Sequence, residues 1–179
     1  RPEPIKIDDV PGGNFDDALA KARDINAKYV DPKAAKANAI EINKTFGDFL
    51  EAYDARMNQL DTEYKTADAS RKIEIDEERA KLFAAGEEVA QANAAEESEA
   101  GMKLRMSQEI RGARNEVELA AAIDRELERS IGRKMTKEER DQVIPRGRKV
   151  REAHAKVDVA EQADNEAIFQ DILRSVGVK

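Results

Sequence analysis

Between Pro32 and Pro145 the chain has no proline. Proline lacks the helical N–H and collides with the preceding turn, so a span this long without it leaves helix as the default. Ala, Glu, Lys and Arg fill much of the span, and all are strong helix formers. The apolar side is thin. Of 72 apolar residues 29 are Ala, and Val, Ile, Leu and Phe supply 36 of the 179 residues. That is close to the level at which chains fail to build a core. Order therefore depends on where the large side chains fall, and a helix with so narrow an apolar face needs other helices to cover it.

Two stripes stand out. Ala39, Ile42, Phe46, Phe49, Tyr53, Met57, Leu60 and Tyr64 recur at steps of three and four, the spacing of one helix face. Met106, Ile110, Ala113, Val117, Ala120, Ile123, Leu127 and Ile131 repeat the pattern over the same length. The expected packing core is Ile42, Phe46, Phe49, Tyr53 and Leu60 from the first stripe, with Ile110, Val117, Ile123 and Leu127 from the second. Two stripes of equal length suggest an antiparallel hairpin. Between them, Ile75, Leu82 and Val89 lie seven apart, but the half-step positions are Arg79 and Gly86. This stretch is either a solvated strut or a helix packed along one narrow seam. A bend is expected near 97–101, where Ser98 and Gly101 flank the least apolar turn.

Helix ends are legible in several places. Asn14 suits an N-cap, with Asp16 and Asp17 in the first turn. Asp31-Pro32 restarts the chain after a first helix near 15–29. Gly132 follows Ile131 as a C-cap, with Arg129, Arg133 and Lys134 at the negative end of the helix dipole. Thr136 and Glu139 form a capping box for a short helix that stops at Pro145. A last helix runs from about Arg146 to Val176 and ends in an apolar knot of Ile168, Phe169, Ile172 and Leu173. Residues 1–13 read as an extended arm: Pro2, Pro4 and Pro11 forbid helix, Gly12-Gly13 make a joint, and Ile5 and Ile7 share one side of an extended strand.

The chain has no cysteine, which removes disulfides, thiolate nucleophiles and cysteine metal sites. It fits a reducing compartment such as the cytoplasm. No apolar run is long enough to span a membrane, and no signal-peptide pattern is present. Arg1 rather than Met stands first, consistent with a processed chain or a piece of a longer one. The one histidine, His154, is two residues from Glu152, a spacing that points the pair to different sides of a helix. Carboxylates are abundant but interleaved with Lys and Arg, as on a solvated helical face. No phosphate-binding loop, nucleophile elbow or zinc-binding helix motif occurs. The expectation is no enzyme activity, no cofactor and no small-molecule ligand.

Charge is unevenly spread. Residues 129–156 hold ten Lys or Arg and four Asp or Glu, a local charge of +6 within a chain of net −7. Arg146, Arg148, Lys149 and Arg151 cluster just after Pro145. They suit an acidic partner surface, such as the acidic stretch of another copy. Nucleic acid is a secondary reading, because no aromatic residue interleaves the cluster for base stacking.

The Ala90–Ala100 tract, the charged 71–81 stretch and the basic 146–151 turn give the chain a recognisable style. It resembles helical internal structural proteins of tailed bacteriophages, of the ejection or inner-core, tape-measure or scaffolding type. That resemblance implies a many-copy virion component without a catalytic site in this segment. Periplasmic holdase chaperones and coiled-coil adaptors share the style.

The expected fold is all-α: an elongated helical hairpin or bundle with long interrupted helices and an extended N-terminal arm. Its parts are the arm (1–13), a long-helix body (14–131, with helices near 15–29, 32–97 and 102–131), and a basic turn with a C-terminal helical segment (132–179). The expected role is structural, through helix packing and oligomerisation. The alternatives are a helical chaperone or adaptor for a protein client, and nucleic-acid association through 129–156. Partner contacts are expected at Ile5, Ile7, Arg146, Arg148, Lys149, Arg151, Ile168, Phe169, Ile172 and Leu173.

Overall fold

The computed structural model describes residues 14–143 and 159–177, and every regular element among them is helical. The chain divides into two compact units, Arg1–Arg105 and Met106–Lys179.

In the first unit, α1 (Phe15–Lys28), α2 (Pro32–Ala37), α3 (Ala39–Tyr64), α4 (Ala69–Gln91) and a 3₁₀ turn (Asn93–Glu97) lead into α5 (Glu99–Arg111). The unit boundary falls inside α5. Asn14 caps α1 by accepting from the N–H groups of Asp16 and Asp17, and Asp31 caps α2 ahead of Pro32. The single helix expected over 32–97 is broken in three places. At Asn38 the backbone leaves the helical region, and its side-chain amide donates to Ala34 O at 2.8 Å. Asn competes for backbone groups in this way, which is why it interrupts helices. At 65–68 the chain reverses, and Asp68 starts α4 by accepting from the Arg71 N–H at 2.8 Å. The third break follows Gln91, where Ala92 is extended and the 3₁₀ turn begins.

The first stripe is buried as a unit: Ile42, Phe46, Phe49, Tyr53, Met57 and Leu60 are inaccessible. Burial of each such side chain contributes about 1.5–3 kcal/mol. From α1, Phe15 meets Phe49 with ring centroids 5.5 Å apart, and Tyr29 donates its hydroxyl to Glu41. Within the first unit, α3 and α4, joined by the turn at 65–68, pack as a helical hairpin. There Ile75, Leu82 and Val89 are buried, and so are the half-step residues Arg79 and Gly86. The stretch is therefore a narrow packed seam and not a strut, with cations at positions where apolar residues would be usual.

Three arginines line the turn end of that hairpin, where Arg56, Arg71 and Arg79 are 5%, 9% and 2% exposed. Arg71 forms a bidentate pair with Glu63 (2.7 and 3.0 Å) and reaches Glu74 at 3.0 Å. These carboxylates, Glu63 first, hold its guanidinium well above the ordinary arginine value. Arg79 bonds Asp61 and Asp76, each at 2.8 Å, and lies over the Tyr64 ring at 4.5 Å. Arg56 pairs with Glu78. Burial that would be prohibitive for a bare cation is tolerated because each guanidinium is matched across or along the seam.

Beyond the 3₁₀ turn, Arg105 donates to Ala90 O and Ala92 O and pairs with Glu96, satisfying carbonyls at the end of α4. Ser98 accepts from the Gly101 N–H at 3.0 Å. Only glycine fits at 101, since a Cβ there would sit 2.3 Å from Ala95 O.

The second unit contains the end of α5, α6 (Glu116–Ile131), a helix α7 described over 137–143, and α8 (Val159–Ser175). The continuous helix expected over 102–131 is broken at 112–115. Asn115 restarts it by accepting from the Glu118 N–H, while the Glu118 carboxylate accepts from the Arg114 N–H, both at 2.9 Å. Restarting a helix resets its phase. The buried face of α6 is accordingly Leu119, Ala122, Ile123 and Leu127, and Val117, expected in the core, is 71% exposed. Gly132 closes α6 in the left-handed region (φ 74°) with its N–H on Glu128 O. Thr136 and Glu139 form the reciprocal capping box: the Glu139 N–H donates to Thr136 Oγ1 at 3.2 Å, and the Thr136 N–H to Glu139 Oε1 at 2.8 Å. From α8, the buried Asn165 amide donates to Ile110 O and Ala113 O, capping the end of α5.

Candidate association surface

The residues expected to contact partners fall into two groups. Ile5, Ile7, Arg146, Arg148, Lys149 and Arg151, like His154, lie outside the described residues. The terminal knot is described, and it is not a free surface. Phe169 and Ile172 are buried with Ile110, Leu119, Ile123 and Leu127 in the core of the second unit, and Ile168 and Leu173 pack against them. The apolar area of Phe169 and Ile172 is therefore used within the unit, while Ile168 and Leu173 stay partly exposed.

Among the described residues, one exposed apolar surface with a defined shape lies on α6 and α7. Val117, Ala120, Ala121 and Asp124 follow at spacings of three and four, so they share one side of α6. With Glu116, Arg140 and Val143 they line a groove of about 380 Å³. Asp124 fixes the second wall. It accepts from the Met135 N–H at 2.8 Å and from Arg140 at 2.5 Å, tying the start of α7 to α6. The groove thus has an apolar floor, an exposed valine at its mouth and a paired Asp–Arg at its edge.

The electrostatics behind α7 are firm. Glu139 is buried and held by a bidentate contact from Arg133 (2.8 and 3.1 Å) as well as by Thr136. The Arg133 hydrogen bonds are the main reason its carboxyl is pulled down to about 2. Of the five Lys or Arg in 129–143, Arg129, Arg133 and Arg140 are engaged by Glu126, Glu139 and Asp124. Much of the described positive charge is thereby neutralised inside the unit.

Dividing the sequence at the unit boundary sharpens the charge asymmetry. Residues 1–105 carry 16 Lys or Arg and 23 Asp or Glu, a net of −7, whereas residues 106–179 carry 15 of each and are neutral. Sequence reasoning missed the groove because it ran one helix through 112–115. Gly112 and the Asn115-x-x-Glu118 cap were the signals that would have revealed it.

No helix among the described residues is long and apolar enough to cross a membrane. Nor does any group of three or more His, Cys, Asp or Glu among them have the geometry to hold a metal. No protein-family model matches the chain, and neither a curated protein nor a solved structure matches it.

Proposed function

We propose that this chain is a structural, self-associating helical protein whose α6–α7 groove receives a helix face of another copy. The observation that carries this reading is Val117, a large apolar side chain 71% exposed beside Ala120, Ala121 and Val143. Leaving such a surface in water costs about 25 cal/mol per Å² relative to covering it. A second copy is the favoured occupant because the chain is electrically complementary to itself. Its first unit is at −7, while residues 144–156, beyond the arginines already paired, carry +4. Such charges steer encounter and fix register more than they set affinity. The elongated hairpin and the extended arm belong to this proposal as the form the chain takes in its assembly. The resemblance to internal proteins of tailed bacteriophages supplies the setting, a many-copy virion component.

The groove also supports a second reading, a chaperone or adaptor that seats an amphipathic helix of a client. Association with nucleic acid through 129–156 is less favoured, since three described arginines of that segment are already paired. Sedimentation across a concentration series, at low and at high salt, tests the proposal. Concentration-dependent mass that falls as salt rises supports self-association guided by charge. A monomer at every concentration refutes it.

A further inference from the structure

We propose that the first unit carries a second self-association contact, made head to tail: the Ile40 end of the α3–α4 hairpin of one copy seats on the Ile73 end of the next.

Ile40 opens α3, and Ile73 lies near the start of α4. Because α3 and α4 run antiparallel and α3 has 26 residues, the two isoleucines sit at opposite ends of the hairpin, roughly 30 Å apart along its axis. Neither belongs to the core. Ile40 is 90% exposed and Ile73 62%. Each is two residues from an isoleucine that is buried, Ile42 and Ile75, and two residues on a helix reverse the direction of the side chain. Val30, also largely exposed, lies at the Ile40 end, where Glu41 accepts from the Tyr29 hydroxyl and pairs with Lys28 at 3.7 Å.

The two ends are opposite in charge. Residues 28–44 hold four Lys and two acidic residues, a net of +2. Both acids are engaged within the unit, Asp31 at the α2 cap and Glu41 with Lys28 and Tyr29. Lys33, Lys36 and Lys44 make no ion pair among the described residues. Residues 61–79 hold seven Asp or Glu and four Lys or Arg, a net of −3. There Arg71 and Arg79 are buried, whereas the Glu74 and Asp76 side chains are 52% and 42% exposed and Glu77 is exposed beside them. An apolar side chain in a basic surround thus matches an apolar side chain in an acidic one, and the occupant of each end is the other end of a second copy.

Two different patches on one chain make a heterologous contact, which propagates as a ring or an open chain instead of closing as a two-fold pair. Each end offers one or two large apolar side chains, so the contact alone is weak and leaves a chain with a blocked groove monomeric in dilute solution. Where the α6–α7 groove already joins copies, the local concentration of ends is high and the contact extends the assembly.

Disulfide trapping reads a weak contact directly, since the chain has no cysteine of its own. The full chain is used in the Val117→Glu background, where the groove is blocked, so the result is separate from that of the groove. Ala37→Cys and Ser70→Cys are exposed positions, each three residues from its isoleucine. Mixed at low salt under mild oxidation, they should form the 37–70 disulfide about tenfold faster than Ala37→Cys forms one with Ala84→Cys, an exposed position midway along α4. The 37–70 product should also outpace the 37–37 and 70–70 products, slow as salt rises, and fall to the 37–84 rate when Ile40→Glu is added to the Ala37→Cys chain. A 37–70 rate no higher than the 37–84 rate overturns the proposal. So do like-with-like products that match the mixed one, or trapping that Ile40→Glu leaves unchanged.

Discussion

Arg79 on α4 reaches Asp61 on α3 at 2.8 Å from a position that is 2% exposed. An arginine at the centre of a helical seam is a specific commitment. It can pack there only in the register that brings Asp61, Asp76 and the Tyr64 ring around it. The hairpin is thereby held in one alignment by charge as well as by volume.

Removing that side chain should be costly, and replacing it with an apolar one of similar volume less so. Arg79→Ala is expected to destabilise the protein by about 2–4 kcal/mol, through a cavity and two carboxylates left without their partner. Arg79→Met keeps the volume but leaves the same two carboxylates without their partner, so it should recover only the cavity part and cost about 1–2 kcal/mol. Urea unfolding of both variants at neutral pH measures the difference.

The register of α6 makes a paired prediction. Leu119 is buried, whereas Val117 is largely exposed. Leu119→Ala should cost about 2–4 kcal/mol, while Val117→Ala should change stability by no more than about 0.5 kcal/mol. The reverse order in denaturant unfolding would show that α6 is rotated.

The contrast between the two stripes shows what sequence alone could reach. The 39–64 stripe was legible because α3 is unbroken across it, so period and burial coincide at Ile42, Phe46, Phe49, Tyr53 and Leu60. In the second stripe Ile110, Ile123 and Leu127 are buried as expected, but Val117 is not. A two-cap interruption at 112–115 changed the phase, and periodicity read across a break cannot register that. The α4 seam was half legible: the spacing was visible, but Arg79 looked like a gap until Asp61 and Asp76 were placed beside it. The turn at 65–68 has neither Gly nor Pro, and only the Asp68 cap marked it. The groove combines residues from α6 and α7, and no linear pattern encodes that meeting.

Acid should weaken the α6–α7 corner through Glu139. Its carboxyl is held at about 2, below the ordinary glutamate value, chiefly by Arg133. A depressed carboxylate pKa adds stability above the unfolded-state pKa and loses it as pH falls through the folded value. Glu139→Gln should therefore cost about 1–2 kcal/mol at neutral pH. The gap to wild type should shrink between about pH 4.5 and pH 2. Unfolding free energies of the two proteins across that range test the sign.

Glycine substitutions should act in opposite directions. At Gly101 an added Cβ meets Ala95 O at 2.3 Å, while at Gly47 the nearest atom is Ala100 Cβ at 3.9 Å. Gly101→Ala should destabilise by about 1–3 kcal/mol. Gly47→Ala, inside α3, should stabilise by about 0.5–1 kcal/mol. Thermal melts of the two single variants distinguish them.

Self-association through the α6–α7 groove turns on the exposed Val117. The most direct measurement is the solution mass of wild type and Val117→Glu by sedimentation equilibrium, each also melted to establish equal folding. Wild type is expected to be an oligomer and Val117→Glu a monomer, at unchanged melting temperature. Equal mass for both proteins would contradict it.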